Sequence, residues 1–348
     1  MILYGVIDTN IEYVNHYSAI APTQPGFPGP SSNKFSMGSG GLSGSRWGLR
    51  GTEDLGSGMK ALFVLESGFS SDDGKSQQGG RLFGRQGYVG LQGNGVGTVT
   101  FGRQYTTIFN ALSEFSPTRF GLQYEPIGLQ VGLNYRSDNV VKYVGTFGGV
   151  TANAYWSFGN GTAGTGEVPG QFRRDTGNGA ALSYQGGPFG ATVAYDQYNP
   201  TLSATTGATG AFKKVAVAGS YTTGPVKVMG GYRWGQNKGA ADATLLRDNY
   251  YWIGTNYQAT SALELTIAYY YDDVKNLAGN TNIKNPWQVS FVADYTLSKR
   301  TDVYLTTAYT KNAGLNFDTS AINFANGYFL AAGKNSMIGV ALGLRHRF

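Results

Sequence analysis

Apolar and polar residues alternate with a period of two along nearly the whole chain. In the segment from Leu263 to Asp272, one face reads Leu263, Leu265, Ile267, Tyr269 and Tyr271, and the other reads Glu264, Thr266, Ala268, Tyr270 and Asp272. The last residues behave alike, with Ile338, Val340, Leu342, Leu344, His346 and Phe348 opposed by Met337, Gly339, Ala341, Gly343, Arg345 and Arg347. A third face runs through Trp287, Val289, Phe291, Ala293, Tyr295 and Leu297. Successive side chains of a strand point to opposite sides, so each segment predicts a strand with one greasy and one polar face.

Two architectures satisfy such alternation, a sandwich with a dry core and a membrane barrel with a wet one. The segments run about 10–13 residues, longer than the globular mode of roughly 5–6 and matched to a tilted bilayer crossing. Aromatics mark their ends, among them Tyr4, Tyr195, Tyr221, Trp234, Tyr250, Trp252, Trp287, Tyr309 and Phe348. Tyr and Trp favour membrane interfaces because one end is apolar and the other wants water. The connections alternate between tight turns (near 53–58, 93–97, 146–149, 186–188, 223–225, 259–261 and 298–300) and long polar loops. The loops fall near 16–42, 71–82, 105–134, 160–175, 200–210, 237–247, 275–285 and 313–335. Fifteen connections imply about sixteen antiparallel strands, an even number as bacterial barrels require. The expected fold is an all-β, sixteen-stranded antiparallel transmembrane barrel, with residues 1–348 forming one domain and Met1 and Phe348 in neighbouring strands that seal it.

Composition narrows the function. Hydrophobic residues make up 41% and charged residues 14%, and no run approaches the ~18 apolar residues of a membrane-spanning helix. Gly numbers 53, a level whose backbone entropy cost disfavours a helical core. The absence of cysteine excludes thiolate metal sites, iron–sulfur clusters, disulfides and thiol nucleophiles. The formal charge is +6, yet no block of five basic residues exists, which argues against a nucleic-acid partner. Met1 and Ile2 run straight into the alternation, so a starting methionine in place of a removed presequence is expected. The letters of a dinucleotide fingerprint at Gly159–Gly164 precede a polar loop instead of a helix and are set aside. No cofactor or metal is called for; the pairs Asp72-Asp73 and Asp272-Asp273 are read as solvated loop acids, with divalent-ion binding the alternative.

Several stretches resemble the trimeric general-diffusion porins of the Gram-negative outer membrane, in their β-proteobacterial and neisserial branch. They are Leu3-Tyr4-Gly5-Val6-Ile7-Asp8, Ser45-Arg46-Trp47-Gly48-Leu49-Arg50-Gly51-Thr52-Glu53-Asp54-Leu55-Gly56, Arg85-Gln86-Gly87-Tyr88-Val89-Gly90-Leu91 and Thr98-Val99-Thr100-Phe101-Gly102-Arg103-Gln104. Asn139-Val140-Val141-Lys142-Tyr143, Leu297-Ser298-Lys299-Arg300-Thr301 and the closing Gly343-Leu344-Arg345-His346-Arg347-Phe348 complete the set. The resemblance implies passage through the periplasm, a homotrimer among outer-membrane lipid and lipopolysaccharide, and passive diffusion of small hydrophilic solutes and anions. It also implies that the third loop, 105–134, folds inward as the constriction; a loop that long is usually functional.

Candidate pore residues follow. With Trp47 and Leu49 outward, Arg46 and Arg50 point into the lumen, and Arg136 and Asp138 do so by parity against Val141 and Tyr143. Arg85 is ambiguous by pattern, and the resemblance places it inward. The resemblance implies a basic ladder of Arg46, Arg85 and Arg136 facing Glu66, inward by parity, and Glu114 of the loop, with Glu125 as the alternative acid. Arginine stays charged at any relevant pH, and a ring of such residues favours anions. Arg103 shares parity with Phe101 and points outward, which is costly in lipid; the resemblance offers it a trimer latch to Asp72 or Asp73 of a neighbour. A substrate-specific channel for small carboxylates or sugars is the alternative function. A hydrolase barrel is disfavoured, because the two histidines are His16 at a loop and His346 on an outward face.

Overall fold

The computed structural model describes all residues except 23, 122, 133, 160–166, 204 and 319–326, so the letters of the fingerprint from 160 onward lie outside the described residues. The chain opens with β1 (Ile2–Tyr17), β2 (Ser32–Ser39), β3 (Arg46–Gly56), β4 (Met59–Gly68), β5 (Gln86–Gly93) and β6 (Gly97–Tyr105). Two short helices follow, α1 (Thr107–Ser113) and α2 (Ile127–Val131). Then come β7 (Arg136–Phe147), β8 (Val150–Ser157), β9 (Gly177–Gly186), β10 (Phe189–Tyr198), β11 (Ala211–Thr223) and β12 (Val226–Lys238). The last strands are β13 (Thr244–Gln258), β14 (Leu263–Leu277), β15 (Trp287–Thr296), β16 (Thr301–Lys311) and β17 (Ser336–Arg347).

Apart from β2 and β3, consecutive strands pair antiparallel, and β1 closes the sheet on β17 with Val6 opposite Arg347 and Val14 opposite Gly339. Both β2 and β3 lie against β1, β2 along its Thr9–Tyr17 half and β3 along Ile2–Val6. They share one position in the wall, so the described strands form a closed barrel of sixteen positions. Closure satisfies every edge, as a spanning sheet must where lipid offers no hydrogen-bond partner. At the seam Gly5 and Phe348 exchange backbone hydrogen bonds of 3.0 and 3.1 Å. The Phe348 ring sits where a Cβ on Gly5 would stand, 2.2 Å from its Cζ, which is why glycine occupies that position.

Burial is inverted relative to a soluble sheet. On β14, Ile267 and Tyr269 are exposed, while Thr266, Ala268, Tyr270 and Asp272 are buried. On β17, Leu342 and Leu344 are exposed, while Met337 and Ala341 are buried. The greasy faces assigned from alternation therefore look outward, and the polar and small faces look in.

The inner wall is lined by small residues along one arc, Ala181, Ala194, Ala216, Ala218 and Ala268, and the segment after β6 packs into the space they leave. Ile108, Leu112 and Phe115 are fully buried there. Burying each such side chain contributes about 1.5–3 kcal/mol. Inward-facing polar groups clamp the same segment: Trp252 Nε1 donates to the Phe115 carbonyl at 2.8 Å, and Asn256 Nδ2 to the Pro117 carbonyl at 2.8 Å. Lys142 Nζ reaches the Tyr105 carbonyl at 3.0 Å and Lys227 Nζ the Glu114 carbonyl at 2.9 Å. On the far side Tyr124 donates to Glu12 at 2.8 Å, and Gln288 to the Tyr124 carbonyl at 2.9 Å.

Candidate functional site

Arg46, Arg85 and Arg136 come from β3, the residue before β5 and the start of β7, and they line one cavity of about 180 Å³. Leu42, Ser43, Tyr105, Phe109, Arg119, Ile127 and Tyr135 complete much of its wall. Neighbouring strand register brings the charges together. Glu66 on β4 stands opposite both Gly48 and Gln86, so its carboxylate reaches arginines on either side. Its Oε1 accepts from Arg85 Nε at 2.8 Å, and its Oε2 lies 3.4 Å from Arg46 Nε and accepts from the Tyr4 hydroxyl at 3.1 Å.

Tyr105 joins the ladder from the other end. Its hydroxyl oxygen accepts from Arg85 Nη2 at 2.8 Å and from Arg136 Nη2 at 2.9 Å. The Arg136 guanidinium carbon also lies 4.6 Å from the Tyr105 ring centre and 4.7 Å from that of Tyr135, and Phe109 stacks on Tyr105. Stacking holds a guanidinium in place without neutralising it. Three guanidiniums thus line the space with one carboxylate, Glu66, which pairs with Arg46 and Arg85, and Arg119, whose charge is matched by Glu264 at 2.9 Å, borders the same space.

The remaining sequence candidates lie elsewhere. Arg50 is exposed on β3, its guanidinium carbon 5.2 Å from the Tyr4 ring centre, and does not line the cavity. Glu114 follows α1 and touches Lys227 through its carbonyl, away from the ladder. Glu125 is buried within the loop, where the hydroxyls of Ser116 and Thr118 donate to it. Burial pushes its carboxyl up to about 7 against those hydroxyls, which favour the charged form. Neither loop acid faces the ladder.

Asp138 corrects the parity reading. Val140 stands opposite Gly102 but Ser137 opposite Gln104, so β7 carries one extra residue, with Asn139 at a φ of 52°. The extra residue changes the face of Asp138, while Arg136, where the strand meets the third loop, still lines the cavity. Asp138 accordingly joins the face of Arg103, accepting from Arg103 Nη1 at 2.6 Å and from Arg81 Nη1 at 2.8 Å. Arg103 also donates to the Gly84 carbonyl, and within its own chain Asp138 is its acid; the latch to Asp72 or Asp73 concerns a neighbouring chain, and within its own chain Asp73 pairs with Lys75 at 2.8 Å.

A second charged group escaped the sequence reading. Arg345 and Arg347 of β17 line an adjoining cavity of about 200 Å³ with Arg119, Glu264, Asp294, Leu42 and Ser43. Arg345 binds Asp294 and Asp302 at 2.8 Å each, and Arg347 binds Asp302 at 2.6 Å. Their shared parity opposite Leu344 was visible in the alternation; their position beside the ladder, with β1 between them and Val6 paired to both Arg46 and Arg347, was not. Among the described residues no cluster of three or more metal-ligating side chains occurs.

A family profile described as Gram-negative porin matches residues 2–315. An outer membrane porin protein of Bordetella pertussis is 31% identical over 379 residues, covering 99% of this chain and 94% of that one. Outer membrane porin protein 32 of Delftia acidovorans is 29% identical, covering 99% and 93%. Among solved structures, an anion-selective porin from Comamonas acidovorans superposes with a TM-score of 0.81 at 26% identity, covering 100% of this chain and 99% of that chain.

Proposed function

The chain belongs to the Gram-negative porin family of the outer membrane, and from that premise we propose that it conducts small hydrophilic solutes passively, with a preference for anions. The observation that carries the preference is local. Three guanidiniums with one carboxylate give the first cavity a net charge of +2, whereas the second cavity's cations are matched by Glu264, Asp294 and Asp302. Low-dielectric walls focus such a field and concentrate the counter-ion in the passage. Arg46, Arg85, Arg136 and Glu66 form the constriction in this reading, and loop 105–134 narrows the single barrel domain of residues 1–348.

The working unit is a homotrimer, in keeping with the resemblance, embedded among outer-membrane lipid and lipopolysaccharide. A channel is favoured over a hydrolase by the histidines: His16 Nδ1 is bonded to the Ser336 carbonyl and His346 Nδ1 to the Thr301 hydroxyl, both outside the cavities. The test is the reversal potential of the purified protein in a planar bilayer across a KCl gradient. Its sign should report chloride as the more permeant ion; a potassium preference would overturn the anion assignment, and the absence of stepwise conductance would overturn the channel.

A further inference from the structure

We infer that the break between β2 and β3, residues 40–45, is a second pore-narrowing element, and that Leu42 at its tip is a specificity-determining residue. The inference rests on the channel reading above. At this break the wall does not continue as a strand; β1 pairs with Ser39 through Thr9 and resumes with Arg46 through Val6, leaving six residues to be accommodated beside Ile7 and Asp8.

Those residues are not slack. Asp8 is fully buried, and its carboxylate accepts three successive backbone N–H groups, Gly41 at 3.1 Å, Leu42 at 3.0 Å and Ser43 at 2.7 Å. Tyr304 donates to the same carboxylate at 2.5 Å from the opposite side of the seam. Gly40 N–H donates to the Asp8 carbonyl, and the Ser45 hydroxyl is bonded to the Asp8 backbone on both sides at 3.1 Å. A carboxylate satisfied by several N–H donors is a strong, geometrically specific anchor. The position at Gly41 is closed to any side chain, since a Cβ there would lie 2.1 Å from the Tyr304 hydroxyl.

The anchored segment meets the third loop. Gln123 N–H donates to the Gly41 carbonyl at 2.9 Å, so the two inward pieces are joined by a backbone hydrogen bond. The flanks are tied to both arginine groups: Arg46 Nη1 donates to the Gly44 carbonyl at 3.0 Å, and Arg345 Nη1 to the Ser43 hydroxyl at 2.9 Å. The Leu42 side chain is left to project, half-buried, and it lines the ladder cavity and the charge-balanced cavity alike. An apolar side chain on a rigid backbone between two hydrated, charged compartments sets the width of the passage and offers permeating ions nothing to bind.

The test is single-channel conductance and liposome swelling with the purified Leu42→Ala and Leu42→Trp proteins. Conductance should rise above wild type in Leu42→Ala and fall below it in Leu42→Trp, and raffinose-driven swelling should gain more in Leu42→Ala than arabinose-driven swelling does. Both substitutions leave the Asp8 anchor intact, and retention of heat-modifiable gel mobility shows that the barrel has folded. If both folded variants keep wild-type conductance and wild-type sugar discrimination, the segment lies outside the conduction path and the inference is wrong. That result is distinct from failure of the channel reading, in which the wild-type protein itself would give no conductance steps.

Discussion

Reversing two rungs of the ladder tests the electrostatic reasoning directly. Arg46→Glu together with Arg136→Glu converts three guanidiniums and one carboxylate into one guanidinium and three carboxylates, so the local net charge passes from +2 to −2. At about 8 Å, each elementary charge contributes about 0.5 kcal/mol to an ion in a water-like dielectric, hence about 1 kcal/mol for a net charge of two before screening. A Debye length of about 10 Å at 0.1 M salt reduces that to about 0.5 kcal/mol, roughly a twofold enrichment of the favoured ion and a similar depletion of the other. At 1 M the length shrinks to about 3 Å and the effect is nearly gone. The expected outcome is a reversal potential that changes sign in the double variant at low salt and converges on wild type at high salt. Leu49, Trp47 and the rest of β3 are untouched, and Glu66 retains Arg85 as its partner. A double variant that stays anion-preferring at low salt would show that this cavity does not control permeation. A selectivity change that persists undiminished at 1 M would show that the mechanism is not a screened field.

Two further outcomes follow from single residues. Glu125, with its carboxyl raised to about 7 from an ordinary 4.5, keeps its proton when the loop is docked and loses it when undocked, so docking weakens as pH rises through that window. The penalty reaches on the order of 3 kcal/mol above the upper value; amide protection factors of residues 107–121 and 123–131, each rate referred to the intrinsic rate at its pH, should be smaller at pH 8 than at pH 5, and Glu125→Gln should abolish the difference, whereas protection factors unchanged by pH would refute it. Gly102→Ala should destabilise the barrel, because Gly102 has a φ of +128° and an added Cβ would stand 2.2 Å from the Gly87 carbonyl oxygen. The cost is on the order of 1–3 kcal/mol, read as a lower unfolding midpoint in guanidinium, and an unchanged midpoint would contradict it.

Alternation alone determined the barrel: which segments are strands, which face is greasy, and how many crossings the chain makes. That information is local, since a strand's side chains alternate whatever lies beside it, and the fifteen connections were readable from turn residues and polar stretches. The inward parity read for Arg46 and Glu66 rests on uninterrupted runs, and the register sets the two side chains together. Parity failed where the run was interrupted. The bulge at Asn139 moved Asp138 to the outer partner Arg103, and nothing in Arg136-Ser137-Asp138-Asn139 announces an extra residue, because a bulge is defined only against the register of the neighbouring strand. The same holds for the break at 40–45, held by Asp8 from another strand, and for Glu125, which satisfies its own loop's hydroxyls instead of facing the ladder. Arg345 and Arg347 had an assigned face but no assigned neighbours, because the register of β17 with β16 and its closure on β1 decide which acids stand beside them. Period fixes direction for each residue; only the closed barrel and the docked loop decide what stands opposite.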